Sequence, residues 1–220
     1  GVVRPWFNER YVEKYFETLE ECRKKYEGRL SIKSGMEFGQ LDISPECNKT
    51  VRRYPFDFVL GSVHKLENID LTHLIVTEKN ARSIGDAYYY HLLKLSEEGD
   101  FDCLAHMDYF KKHCAKQNLP DLYEEYQPTI KKVLENVIRR GKGIEINTAC
   151  MGGILEDTMP GLETLRMYKE LGGRIITVGS DSHRPERIGY GFDRVYQMLK
   201  EAGFDSISVY KNRKNIQQPI

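Results

Sequence analysis

The chain has 220 residues, and its 33 basic residues balance 33 acidic ones, so net charge gives no pull toward nucleic acid or an anionic membrane surface. Its apolar runs reach strand length only, which argues against a bilayer span, and the opening residues do not read as a secretory leader. Five scattered cysteines without a C-x-x-C pair read as reduced thiols, the pattern of a cytoplasmic protein.

Residues 1–7 read as an irregular lead-in, with Asn8 as the N-cap of a first helix. Tyr11, Val12, Tyr15, Phe16, Leu19 and Cys22 form an apolar stripe at helical spacing, and Gly28 closes it. A strand is expected over residues 30–38. Ser44-Pro45, a cap followed by proline at the first helical position, then opens a short helix to about Tyr54. Further strands are expected over 56–63, 101–105, 143–147, 174–179 and 206–210. Helices are expected over 77–98, 122–140, 162–171 and 192–202, with Pro128 marking a break or a new first turn in the second of these. The polar tail, 211–220, reads as loosely docked.

Strand and helix alternate along residues 1–220, which read as one α/β domain with parallel strands and covering helices. A doubly wound sheet and a TIM-like barrel both fit that alternation. Polar residues separate them. Glu37, His64, His106, Glu145, Asn147, Asp181 and His183 stand at or just past the C-terminal ends of successive apolar strands. A barrel brings all such ends to one face, whereas an open sheet gathers them at a switch point, so the barrel is favoured. No G-x-G-x-x-G or Walker sequence points to a nucleotide. Asp181 and His183 share a face if extended, and a carboxylate beside a neutral imidazole suits a divalent metal. One histidine at a strand end is ordinarily a hydrogen-bonded structural residue. Five strands ending in His, Asp or Glu point instead to a site for two or more ions, because buried charge is costly unless paired or metal-bound.

Gly35-Met36-Glu37, Gly61-Ser62-Val63-His64, Ala105-His106-Met107-Asp108, Glu145-Ile146-Asn147-Thr148 and Gly179-Ser180-Asp181-Ser182-His183, in this order, resemble the PHP (polymerase and histidinol phosphatase) metallohydrolases. Lys25-Tyr26-Glu27-Gly28 and Arg213-Lys214 look like the histidinol-phosphatase branch. The resemblance implies a distorted, TIM-like (β/α)7-type barrel that holds two or three divalent ions, Zn, Mn or Fe. It implies hydrolysis of a small phosphorylated substrate, L-histidinol phosphate, in histidine biosynthesis. By motif position Glu37, His64, His106, Asp181 and His183 inherit ligand roles, with Glu37 as the bridge. Asp181 and His183 are also the catalytic candidates, and the sequence leaves open whether Asp181 or an imidazole protonates the leaving group. Lys111, Asn147 and Arg184 are the expected substrate and phosphate contacts, with a solvated surface lysine the competing reading of Lys111. The branch usually offers an arginine soon after the equivalent of Asn147-Thr148, where this chain has Ala149-Cys150-Met151-Gly152-Gly153, and Arg184 and Arg187 are the substitutes for it.

The family's first strands carry a His-x-His and a further His before the equivalent of Gly35. This chain has a helix there, begins at Gly1 rather than Met, and has no His before His64. The barrel is therefore expected to lack its first strand or strands. Its exposed edge is then expected either to pair with another copy or to leave metal poorly bound. A phosphoesterase for another small phosphorylated or nucleotide substrate, and an inactive scaffold, are the alternative readings. His73, His91 and His113 match no ligand position, and residues 88–90 read as helix packing rather than a stacking platform.

Overall fold

A computed structural model describes residues 9–67 and 69–220. The lead-in over 1–7 and the Asn8 cap lie outside the described residues. In chain order the strands are β1 (Gly35–Gly39), β2 (Phe58–Ser62), the hairpin β3 (Lys65–Leu66) and β4 (Ile69–Asp70), β5 (Cys103–Leu104), β6 (Gly143–Asn147), β7 (Ile176–Gly179), β8 (Ser206–Lys211) and β9 (Lys214–Pro219). The helices are α1 (Glu9–Lys25), α2 (Pro45–Arg53), α3 (Ala81–Glu98), α4 (Phe110–Ala115), α5 (Tyr123–Arg139), α6 (Leu162–Glu170) and α7 (Phe192–Glu201). None of the described helices is long and apolar enough to cross a membrane.

The main sheet runs β1-β2-β5-β6-β7, every neighbouring pair parallel. Strand order thus follows chain order with no reversal. A doubly wound sheet reverses at its switch point, so this winding is that of a barrel wall. The register shows what each face is made of. Glu37 lies beside Leu60, Leu60 beside Cys103, Cys103 beside Gly143, and Glu145 beside Thr177. With period-two alternation, one face therefore carries Glu37, Leu60, Ser62, Cys103, Glu145, Asn147 and Thr177. The opposite face carries Phe38, Val59, Leu104, Ile144, Ile146 and Ile176, all buried in the hydrophobic core. The helices pack over this apolar face, through residues such as Val51, Tyr88, Leu92, Val133, Leu134, Leu165, Val195 and Leu199. The mostly polar face is the barrel interior.

Local chemistry sets several boundaries. Ser44 caps α2 by accepting from the Cys47 N–H at 3.4 Å, with Pro45 at the first helical position, as the sequence indicates. The first strand starts at Gly35 rather than residue 30, because Ser34 is occupied by Asp57, which accepts from its N–H at 2.9 Å and its hydroxyl at 3.1 Å. Pro128 does not break α5, which runs unbroken around it. The amphipathic pattern wins, with Tyr126, Ile130, Val133, Leu134 and Val137 buried. The tail is not loosely docked. Residues 214–219 pair with β8, and Tyr210 packs against Phe58 at 4.8 Å and meets the Cys103 thiol at 3.6 Å. The β8–β9 hairpin therefore closes the interior at the N-terminal ends of the strands, with Tyr210 and Ser208 of β8 buried. The polar ligands gather at the other end.

Candidate metal centre and anion cleft

Glu37 projects from β1 into the barrel, His64 follows β2 by two residues, and His106 follows β5 by two. Their donor atoms converge. His106 Nε2 lies 2.9 Å from Glu37 Oε1, His64 Nε2 lies 3.2 Å from the same oxygen, and the two ring nitrogens are 3.2 Å apart. Among the described residues this is the group with metal-ligand spacing. A tetrahedral zinc shell with bonds of about 2.0 Å has neighbouring donors about 3.3 Å apart, so this triangle fits a divalent ion. Two imidazole nitrogens aimed at one another and at one carboxylate oxygen make a poor hydrogen-bond network but a good set of lone pairs.

The electrostatics agree with a pre-ionised centre. Burial works to raise the Glu37 carboxyl, but hydrogen bonds from His106 and His64 hold it far below the ordinary carboxylate range. Burial likewise opposes a charged His106, yet its bond to Glu37 raises the ring's pKa. His106 is only 3% exposed, its Nδ1 is buried without a partner, and its backbone is left-handed at φ +23°. A non-glycine residue held in that region stores strain and is characteristic of functional sites. Tyr109 walls the pair, its ring 4.8 Å from His106 and 5.6 Å from His64.

Glu145 is the residue that the sequence placed at a strand end but left out of the ligand set. It is buried beside the triad, and burial raises its pKa to about 7, reinforced by the negative Glu37 and Asp181. Its carboxylate occupies the space where a side chain at Gly179 would start. Asn147 is buried next to it and turns back on its own loop, accepting from the Ala149 N–H at 2.9 Å.

The structure separates the five expected ligands. Glu37, His64 and His106 come together; Asp181 and His183 line an adjoining cleft of about 510 Å³ with Lys112, Arg184 and Arg187. Asp181 takes a left-handed backbone, φ +44°, which aspartate tolerates well. His183 is turned outward, its Nδ1 3.0 Å from the Asp181 carbonyl. Lys111, an expected anion contact, does not line that cleft. It is buried between Asp108 at 2.8 Å, Asp157 at 3.2 Å and the Thr158 carbonyl at 2.6 Å, in a different cavity. Its charge is already spent on those oxygens. Its neighbour Lys112 reaches the cleft, its ammonium 4.9 Å from the Tyr109 ring. A one-residue step along a short helix redirects a side chain by about 100°, a distinction that motif position alone misses. His91, which matches no ligand position, pairs with Asp42 at 2.8 Å.

A model of the PHP domain matches residues 8–149, and the chain belongs to the PHP family. It is 30% identical to a "probable histidinol-phosphatase" of Clostridium acetobutylicum over 89% of this chain and 76% of that one. The histidinol-phosphatase of Lactococcus lactis subsp. lactis is 24% identical over 93% of this chain and 79% of its own length. In fold, the chain resembles the crystal structure of histidinol phosphate phosphatase from the same bacterium, complexed with Zn, L-histidinol and phosphate. The TM-score is 0.77 over 93% of this chain and 79% of that chain, at 24% identity.

Proposed function

We propose that this chain is a metal-dependent phosphomonoesterase that hydrolyses L-histidinol phosphate to L-histidinol and phosphate, a reaction of histidine biosynthesis in the cytoplasm. The observation that carries this reading is the convergence of Glu37, His64 and His106 beside a cleft lined by Lys112, Arg184 and Arg187. Glu37, His64 and His106 would hold divalent ions, Zn, Mn or Fe, two or three in number, with Asp181 and His183 as further ligands. Bound ions of this kind lower the pKa of water to near neutrality and neutralise phosphate charge. Lys112 and Arg184 take phosphate oxygens, the arginine through its planar fork. Glu145 sits behind the centre, where burial favours its neutral form. Asp181 or the His183 imidazole would pass a proton to the departing alkoxide, and both line the cleft. Self-association along β1, the border strand of the described sheet, belongs to the same reading and is checked by sedimentation velocity.

The test is phosphate release from histidinol phosphate with added Mn or Zn. Glu37→Gln and Asp181→Ala should each lower kcat/KM by at least about a hundredfold while melting temperature stays close to that of the parent. Turnover that survives both substitutions would sink the assignment. One observation favours a different small phosphorylated substrate: the loop after Asn147 presents Ala149-Cys150-Met151, with no cation of its own. A substrate panel in which histidinol phosphate is a minor substrate would select that reading, and a folded chain that binds no metal would select an inactive scaffold.

A further inference from the structure

Two loops face each other across the cleft, residues 148–154 after β6 and residues 180–191 after β7. They are strapped together by a small set of bonds. Thr148 Oγ1 donates to the Tyr190 carbonyl at 2.7 Å, and Arg187 Nη2 donates to the Met151 carbonyl at 3.0 Å and the Ala149 carbonyl at 3.4 Å. The Arg187 guanidinium also lies on the Tyr190 ring, 3.5 Å from its centroid. Each loop supplies a glycine at the point where the other loop's bulky side chain arrives. A Cβ on Gly152 (φ +69°) would stand 2.5 Å from the Tyr190 hydroxyl, and one on Gly191 (φ +79°) would stand 3.0 Å from Met151 Sδ. The fit is reciprocal, with Met151 buried at one contact and Tyr190 40% exposed at the other, and each side chain seats where only a glycine leaves room.

Arg187 is the centre of this strap. A guanidinium can use its edge on carbonyls and its face on a ring at once, which an ammonium cannot. Among the described residues no carboxylate pairs with it, so its positive charge remains available to the cleft that it lines. We propose that Arg187 is a positioning residue: it fixes loop 148–154 through the backbone of Ala149 and Met151, and so holds the cleft wall at the distance where Lys112 and Arg184 close on a phosphate. This rests on the phosphomonoester reading above.

Cys150 supplies a probe, since it lies in the strapped loop and is 7% exposed, while Cys103 in the barrel interior is fully buried and reports on the fold. In the 220-residue chain, Arg187→Ala should raise KM and the inhibition constant of inorganic phosphate about tenfold, with a smaller change in kcat. Alkylation of Cys150 by iodoacetamide, read by mass spectrometry, should quicken at least about tenfold, while Cys103 stays protected. Thr148→Val removes the second tie without touching any charge and should shift both readouts in the same direction. Added guanidinium should restore part of the phosphate affinity in Arg187→Ala. Weaker phosphate binding with unchanged Cys150 labelling and an inert Thr148→Val would show that Arg187 touches the anion directly, overturning the positioning role. Faster labelling with unchanged KM would overturn it equally. If the parent chain turns over no phosphomonoester, the functional reading fails by itself, and Cys150 labelling with and without inorganic phosphate still decides whether the strap shapes an anion site.

Discussion

Gly179 and Glu145 illustrate how single residues are matched inside the barrel. They lie on neighbouring strands, and the Glu145 carboxylate fills the volume that any side chain at 179 would need. Gly179→Ala should therefore push a buried carboxylate toward the triad. We expect a stability loss of about 1–3 kcal/mol and weaker metal binding, read together by urea unfolding and calorimetric titration with Mn. An alanine variant with unaltered metal affinity would show that Glu145 has room to move. His113 offers a cleaner pH experiment. It is buried in α4, packs edge-on against Tyr109 and leaves Nε2 without a partner. Burial, with Lys116 and Lys112 adding to it, lowers its pKa from 6.5 to about 4. Between those values the unfolded chain binds the proton and the native chain does not, so native stability is intact above pH 6.5 and drains away as pH falls toward 4. His113→Phe keeps the ring and removes the titration. Its stability advantage over the parent should grow between pH 7.5 and 4.5 by up to about 3 kcal/mol, and a constant difference would refute the assignment.

At the scale of elements, α5 is the case where a local rule loses to a global one. Pro128 removes one hydrogen bond within the helix and crowds the Glu124 carbonyl, yet five apolar side chains on the buried face hold the helix together. Pro128 is exposed, so Pro128→Ala should restore that bond at no packing cost. The gain should be about 1–2 kcal/mol, since the substitution also loosens the unfolded chain, and a melting curve measures it. The parallel strands were legible from sequence because each is a short apolar run ended by glycine or a polar residue. So were Glu37, His64 and His106, because period-two alternation and strand ends fix where such side chains point. The hairpin β8–β9 was not legible: Lys214–Pro219 is exposed at every position and carries no apolar alternation of its own. It is a strand because β8 offers a partner and because Asn212 and Arg213 turn the chain with left-handed backbones. Lys112 was hidden for a similar reason, since α4 has only six residues and too little periodicity to set its phase.

Across the whole molecule the two ends of the barrel do different work. The C-terminal strand ends carry the triad and the cleft. The N-terminal ends are closed by Arg213, whose Nε donates to both oxygens of buried Asp102 at 3.0 and 3.1 Å and whose Nη2 meets Asp100 at 2.9 Å. The same turn is held by Asp57, which accepts from the Asn212 N–H at 2.9 Å. Arg213 thereby anchors the hairpin that inserts Tyr210 beneath the interior. Arg213→Ala leaves the buried Asp102 carboxylate with the Val59 N–H and the weaker pull of Lys142, and should cost about 3 kcal/mol. Pairing it with Asp102→Asn should recover much of the loss, because the penalty lies in the unpaired charge more than in the lost attraction. Metal affinity of the folded fraction should stay the same in all three variants, since Glu37, His64 and His106 sit at the opposite end of the same strands. Urea unfolding and metal titration on one set of samples test both halves of this statement. A variant that keeps its stability, or one that loses metal affinity while folded, would show that the closed end and the chemical end are not independent.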